Sequence, residues 1–574
     1  MAIVASINEE GKVQIRVRSS ERFSLVEEGL AWDDGDSTVE TRLWYLPAIK
    51  DLLGDQLTIP KTLKGTIEAA TAFLRRPVPA EANVDLNLTL KPFQSIGAQF
   101  LLENHGAVLA DDCGIGKTPQ SLTALGHLFA QNKIERAIVA MTLGVKWQWE
   151  EEIKKALGDR VTSIIVDGPP KVRASAYKRW SETPKSILLI QHDAIRNDCE
   201  RLLHVIGQTT AHHMGGCRFA MVIDEASTSG FGLKNPESKS YAAAMRLAPL
   251  FDYRWALTAT PIENGVQDLW AITNWIRPGW LGPFDTFQAR HLVIKTIVSR
   301  RGVFNVIDKI CHLNEVKKAF RPLYLRRTAA EVNLQLPRIM PPIVHALDMD
   351  DRQAALYAAT TKRVREIEAR LKMHEHVHGG DLAALKSMIM RLRQICNSPA
   401  TVGEYGGSPK LDDMESFIEG CPEKVVIATE FAKFAKLIVA RLQRFKPALI
   451  SGDVPGIDRR NAQRHFEVDP RTRVMVITKA GERGLNLQVA SVLYNADMPW
   501  NPAALRQRIG RICRIGSQHP SVRIVTAVMK ETIEERVFKT LNQKQDVFAR
   551  VMGSESDEMG EAIAMTTSRA LDLV

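Results

Sequence analysis

The sequence predicts an α/β protein made of two parallel-sheet domains with a helical stretch between them. Three observations carry that prediction. A first block holds the short apolar runs "GAVLA" (106–110), "AIVAM" (137–141), "SIIVD" (163–167), "SILLI" (186–190), "FAMVIDE" (219–225) and "RWALTAT" (254–260). Turns and helical patterns separate them. A second block repeats the rhythm with "KVVIATE" (424–430), "PALIS" (447–451), "RVMVIT" (473–478), "SVLYNAD" (491–497) and "VRIVTAVM" (522–529). Buried strands that alternate with helices make parallel sheets covered on both faces. Third, residues 276–420 have little strand character and are dense in helical charge-and-apolar patterning, as in "AALYAATTKRVREIEARLKMHEH" and "LAALKSMIMRLRQI", with a Pro-rich joint "LPRIMPPI" at 336–343. The expected organisation is an N-terminal accessory segment (1–86), a first lobe (87–275), a helical insert (276–420), a second lobe (421–530) and C-terminal helices (531–574).

Composition bounds the function classes. At 574 residues, 45% apolar and 25% charged, the chain has material for roughly three or four globular domains. The 76 Lys+Arg against 66 Asp+Glu leave a net charge of +10, compatible with a polyanion partner without requiring one. Seven cysteines with no C-x-x-C spacing argue against a zinc ribbon or a disulfide framework and for a reducing compartment. The start "MAIVASINEEGKVQ" lacks a basic-then-apolar leader, and no apolar run reaches the roughly 18 residues that a membrane span needs. A soluble intracellular protein with no membrane partner is expected.

The stretch "VLADDCGIGKTPQSL" (108–122) carries the first chemistry. The commonest phosphate-cradling loop reads G-x-x-x-x-G-K-[ST], yet Asp111 stands at the position of its first glycine, while Gly116, Lys117 and Thr118 fit. Strand, turn and helix follow in the required order, and Pro119 falls early in the helix where a missing N–H does no harm. Backbone N–H groups of the turn formed by Asp112, Cys113, Gly114, Ile115 and Gly116 could converge on an anion, Lys117 would supply charge for β/γ-phosphates, and Thr118 a hydroxyl for Mg²⁺. On these residues alone, a Gly-rich turn before an ordinary helix remains the alternative.

"VIDEAS" (222–227) weighs against that alternative, because it ends an apolar strand in two adjacent carboxylates about a hundred residues on. Mg²⁺ is held through few carboxylates plus phosphates and waters, so Asp224 suits the metal and Glu225 the attacking water.

The chain also carries "LTATPIENG" (257–265), "LYLRRT" (323–328), "LRQICNSP" (392–399), "ITKAGERGLNLQVASVLYNADMPWNP" (477–502) and "LRQRIGRICRIGSQ" (505–518). With "LADDCGIGKT" and "VIDEAS", these resemble, in order and spacing over about residues 88–545, the Swi/Snf family of DNA translocases in helicase superfamily two. The resemblance implies two RecA-like lobes, ATP and Mg²⁺ as cofactors, and sequence-independent duplex or branched DNA as partner, hence a DNA-containing compartment. It also accounts for Asp111, since the family's loop is similar to A-D-E-x-G-x-G-K-T. In "LKPFQ", Gln94 matches the family's adenine-side contact, and Trp149 and Glu152 match its W-x-x-E. Three departures stand out: Asp112 replaces Glu, Ala140-Met141 replaces Cys-Pro, and Ser227 replaces the His of D-E-A-H. The last falls where the family couples the ATP site to "TAT" (258–260), and it motivates a clamp that closes on DNA without moving as the alternative function. An RNA or strand-separating helicase is the third reading.

Phosphoryl transfer spreads negative charge over the γ-oxygens, and a guanidinium from a second domain stabilises it only in a closed cleft. Arg511 and Arg514, three apart, share one face of a helical turn and are the candidate fingers; Arg508 has the same spacing. By the family resemblance, Arg326 and Arg327 read as a brace of the helical insert or the lobe interface, with DNA contact as the alternative; Trp500 reads as a packed turn residue, and "HEHVH" (374–378) and "HHMGGC" (212–217) as loops. No extra hairpin interrupts the second lobe to serve as a strand-separating wedge. Residues 29–55, with Trp32 and Trp44, read as a β-hairpin plus helix weakly similar to the DNA-recognising accessory module of annealing helicases, against a plain extension covering the first lobe.

Overall fold

In the computed structural model, the residues described are 3–7, 13–28, 30–33, 38–41, 46–53, 57–58, 87–112, 114–142, 145–211, 218–227, 233–259, 266–299, 302–328, 331–332, 336–373, 379–454, 456–479, 485, 487–499, 502–514, 516–517 and 519–537. Trp44, Cys113, Trp500, "HEHVH", "HHMGGC" and the 538–574 part of the C-terminal stretch lie outside them.

The N-terminal segment forms a five-stranded sheet from β1 (Ile3–Ile7), β2 (Val13–Arg16), β3 (Ala31–Asp33), β4 (Thr38–Thr41) and β5 (Leu57–Thr58), in the order β3-β4-β2-β1-β5. The β3–β4 pair is the hairpin expected around Trp32, and the expected helix follows at Leu46–Leu53. Alternating residues such as Val13 and Ile15 pack with Leu25 and Ile49 into a core of their own.

The first large sheet is wholly parallel, as continuous apolar runs buried on both faces require. Its strands are β6 (Gly106–Leu109), β7 (Arg136–Met141), β8 (Thr162–Ile165), β9 (Ser186–Gln191), β10 (Phe219–Asp224) and β11 (Tyr253–Leu257). Two buried clusters, one on Trp180 and Trp275 and the other on Trp149 and Trp255, cover it.

Residues 276–420 depart from the expected helical insert. An antiparallel hairpin, β12 (Leu292–Ser299) with β13 (Gly302–Ile310), forms a two-stranded sheet of its own. Further on, β14 (Tyr324–Leu325) returns to pair with β6, giving the order β14-β6-β11-β10-β7-β9-β8. β15 (Arg338–Ile339) and β16 (Ile343–Leu347) join the second sheet. Two-residue strands are too short to show periodicity, and β16 exposes Ile343 and Val344, so no buried apolar run announces it. The helical expectation holds for Asp351–Met373 and Gly379–Asn397.

The second large sheet adds β17 (Val425–Ala428), β18 (Ala448–Ile450), β19 (Val474–Ile477), β20 (Val492–Asn495) and β21 (Ser521–Met529), in the order β15-β21-β20-β17-β19-β18 with β16 also on β21, all parallel. The long helices pack on it through Val364, Leu385 and Leu392 against Met498, Met529 and Ile533. A buried ion pair ties these parts together. The Lys410 ammonium donates to Glu534 (2.7 Å), the Asn397 side-chain oxygen (3.0 Å) and the Ala496 carbonyl (2.7 Å), with both charged side chains under 5% exposed.

Removing one partner of such a pair strands a buried charge. Lys410→Met should therefore cost about 3–5 kcal/mol in thermal or urea unfolding, whereas Lys410→Met with Glu534→Leu should recover most of it. Equal losses in the single and double variants would contradict this role.

Candidate active site

Phosphate-loop geometry starts at the end of β6. Gly114 (φ +86°) and Gly116 (φ +95°) occupy the left-handed region, which the turn into helix Lys117–Ala130 requires and which favours glycine. Asp111, fully buried, is held by Arg327 through Nε (3.0 Å) and an NH₂ group (2.6 Å) and by the Gln120 amide (3.0 Å). Arg327 also donates to the Gln120 side-chain oxygen (2.8 Å) and the Phe93 carbonyl. Gly97 must be glycine for this cluster, because a Cβ there would lie 1.7 Å from the Gln120 side-chain oxygen. Arg326 pairs with Asp112 (3.2 Å). The arginine pair expected to brace the insert or the lobe interface thus grips the phosphate loop itself.

Lys117 donates from its ammonium to the carbonyls of Asp111 (2.7 Å) and Asp112 (3.3 Å). Gln94 braces the same loop: its amide N–H donates to the Ile115 carbonyl (3.0 Å), its oxygen accepts the Lys91 N–H (3.0 Å), and Ile115 is itself buried.

The acidic turn follows β10. Trp149 donates its indole N–H to Asp224 Oδ2 (2.9 Å), the Glu225 N–H bonds Oδ1 (3.0 Å), and a ring nitrogen of His192 lies 2.8 Å from the Asp224 carbonyl. Glu225 has a left-handed backbone (φ +53°), and its Oε2 is buried without a hydrogen-bond partner among the described residues. Left-handed backbone together with a lone buried oxygen singles out this turn as part of the candidate site. Ser227, in place of the family's His, bonds the Thr258 hydroxyl (2.6 Å), so the link from acidic turn to "TAT" exists through two hydroxyls.

Gly114, Gly116, Lys117, Thr118, Val145, Gln148, Trp149, Asp224 and Glu225 line one cleft together with Gly510, Arg511 and Arg514 of the second lobe. Gln94 is not among its lining residues, and Asp112 is turned to Arg326. Helix Pro502–Ile512 ends before Arg514, yet the two arginines still converge: each donates to the Leu485 carbonyl, at 3.2 and 3.3 Å. Arg508 differs. It is fully buried, donating to the Asn495 side chain (3.2 Å) and the Asp497 carbonyl (2.7 Å), so it holds the second lobe's interior. Trp32 is likewise engaged internally, with its indole N–H on Glu40 (2.9 Å) and its ring against Gly282, just beyond the 87–275 lobe; Glu28 adds an ion pair to Arg290 (3.6 Å).

Two parallel sheets meeting at a cleft, with a Gly-rich turn and two carboxylates on one wall and two arginines on the other, are the arrangement of a two-lobed protein with its candidate site between the lobes. The chain belongs to the SNF2-related domain family, whose profile matches residues 28–401, and the helicase conserved C-terminal domain matches residues 409–516. It is 27% identical to the putative ATP-dependent helicase/translocase YwqA of Bacillus subtilis over 88% of this chain and 53% of that one. It is 25% identical to the DNA repair and recombination protein RAD54-like of Gallus gallus over 84% of this chain and 70% of that one. Among solved structures, the Sulfolobus solfataricus SWI2/SNF2 ATPase core in complex with dsDNA is similar at 23% identity, covering 87% of this chain and 99% of that one with a TM-score of 0.36. The chain thus spans about half the length of the first of these relatives. Among the described residues no helix is long and apolar enough to cross a membrane.

Burial and then the Glu225 charge push the Asp224 carboxyl up to about 6, against the pull of the Trp149 N–H and Lys117. A carboxyl raised in the fold favours the folded state below its unfolded pKa and loses that contribution as pH rises through about 6. Asp224→Asn, which cannot ionise, should raise the Tm of the nucleotide-free protein at about pH 7.5, by about 2–4 °C per kcal/mol relieved, and give no gain near pH 4. A lowered Tm at the higher pH would contradict the assignment.

Proposed function

We propose that the chain is an ATP-driven motor that moves along duplex DNA, with residues 87–275 and 421–530 as its ATPase lobes. The observation that carries this reading is the shared cleft, in which Lys117, Thr118, Asp224 and Glu225 face Arg511 and Arg514 from the other lobe. On this reading, Lys117 leaves the loop carbonyls for the β/γ-phosphates of ATP while Gly114 and Gly116 admit the chain to them. Thr118 and Asp224 fit Mg²⁺: a hydroxyl and one carboxylate lie in the same cleft, the donor set of a cation that otherwise binds phosphates and waters. When bound, Mg²⁺ neutralises developing charge on the phosphate oxygens. Glu225, with its lone Oε2, orients the attacking water and takes its proton. Arg511 and Arg514 then stabilise the γ-phosphoryl in the closed cleft, and opening on release displaces the lobes along the polymer. Gln94 acts first on the loop, and its contact with adenine would require it to exchange the Ile115 carbonyl for the base.

The relatives named above as a helicase/translocase and as a DNA repair and recombination protein support DNA as the polymer, and the net charge of +10 agrees. The Ser227–Thr258 bond links the acidic turn to "TAT" without the family's His, and this supports the moving motor over the clamp. A strand-separating reading gains one feature, the β12–β13 hairpin outside both sheets.

Lys117→Ala should abolish ATP hydrolysis, and Glu225→Gln should bind ATP without turnover. Arg511→Ala or Arg514→Ala should lower kcat by roughly 10³ with far less effect on ATP affinity. Rapid hydrolysis by Glu225→Gln, or arginine variants that lose only DNA binding, would refute these roles.

Movement on duplex is read by displacement of a third strand from a triplex. ATP-dependent displacement with little unwinding of a tailed duplex, and affinity that falls steeply with salt but not with sequence, is the expected pattern. Robust unwinding without triplex displacement would establish the hairpin reading instead, and failure in both assays despite DNA-stimulated hydrolysis would restore the clamp.

A further inference from the structure

Helix Lys146–Leu157 touches both halves of the cleft on opposite faces. Residues two apart on a helix point about 200° apart, while residues four apart share a face. Trp149, 1% exposed, points to the first sheet and donates its indole N–H to Asp224 Oδ2 at 2.9 Å. Trp147 and Glu151, four apart, point the other way. Both meet Arg460 on the second-lobe helix Gly456–Val468: Glu151 through an ion pair of 2.5 Å, and Trp147 with its ring 5.6 Å beneath the guanidinium.

The consequence at Asp224 is orientational. Its Oδ1 is fixed by the Glu225 N–H and its Oδ2 by Trp149, so the carboxylate is locked in one rotamer. Glu225 sits beside it in strained backbone that persists only where the surroundings over-determine it. A rigid helix gripped by Arg460 on one face and holding Asp224 on the other ties the position of the second lobe to the aim of that carboxylate.

We propose that Trp149 is a positioning residue for Asp224, and that helix Lys146–Leu157 transmits cleft closure to it through the Arg460 contact with Glu151 and Trp147. The proposal rests on the reading of Asp224 as the metal-side carboxylate. It makes closure itself the event that completes the acidic turn, so the arginines of the second lobe arrive as Asp224 is set.

The test combines Mn²⁺ binding in the presence of ADP, read by electron paramagnetic resonance, with steady-state ATP hydrolysis. Trp149→Phe keeps the ring and loses the N–H. It should weaken Mn²⁺ binding and lower kcat by about tenfold each, the effect of one lost hydrogen bond to a charged group, while KM for ATP stays within about twofold. Arg460→Ala, on the surface, should shift both in the same direction by a smaller factor and add nothing in the Trp149→Phe background. Unchanged Mn²⁺ affinity in Trp149→Phe, or full additivity of the two substitutions, overturns the proposal. Should Trp149→Phe fail to fold, unchanged Mn²⁺ affinity in Arg460→Ala alone overturns it. Mn²⁺ binding needs no hydrolysis, so an ATPase reading that fails on Lys117→Ala or Glu225→Gln is told apart from a failure here.

Discussion

One buried ion pair underlies the candidate active site: Asp111 held by Arg327. A carboxylate with no exposure carries a large desolvation penalty, which only a bidentate guanidinium and a further amide donor can offset. Those partners come from elsewhere in the chain, since Arg327 follows the β14 return to the first sheet and Gln120 lies on the helix after the loop. The loop is therefore shaped from behind by a strand that arrives more than two hundred residues later. Asp111 and Asp112 contribute their carboxylates to the arginines and their carbonyls to Lys117, so the same two residues set both the loop's shape and the resting place of its lysine.

That dependence joins the two ends of the first lobe. β14 adds an edge to the first sheet, and β15 and β16, a few residues beyond, add an edge to the second. The connection between the lobes is accordingly built into both sheets, with Arg326 and Arg327 lying between its strands. On the proposed function, motion of one lobe against the other acts on this segment and, through Arg327, on the phosphate loop. The cleft's charged groups divide the work by location: the first lobe supplies a lysine, a hydroxyl and two carboxylates, and the second supplies arginines pinned to one carbonyl, that of Leu485.

Much of this was legible in the residues. Each of the eleven apolar runs is a strand, because runs buried on both faces need no tertiary information to announce themselves. The Gly-rich turn and the acidic turn were readable as one candidate site from strand-turn-helix order and residue type, and Arg511 and Arg514 from their helical spacing and the family resemblance; the fold brings all of them to one cleft. What could not be read depends on distance or depth. Arg327, the main partner of Asp111, lies 216 residues away, and the Trp149 bond to Asp224 spans 75. Arg508 has the spacing of Arg511 but faces Asn495 and Asp497, since spacing fixes a helix face and not what covers it. Trp32, read with a candidate DNA-recognising module, bonds its cross-strand hairpin partner Glu40, which the hairpin could announce, and meets Gly282, which no local pattern could. The β12–β13 hairpin was missed because its apolar residues fall in a region read for helical periodicity.

Where the commonest phosphate-cradling loop opens with a glycine, this loop demands a carboxylate. Asp111→Gly tests it most directly, because it completes G-x-x-x-x-G-K-T by sequence while leaving Arg327 without its main partner. Calorimetric titration of this variant with ATP should show affinity weakened by at least about tenfold, the effect of a guanidinium left uncompensated beneath the loop. Affinity equal to or tighter than that of the parent chain would contradict the claim and return the loop to the glycine-led kind.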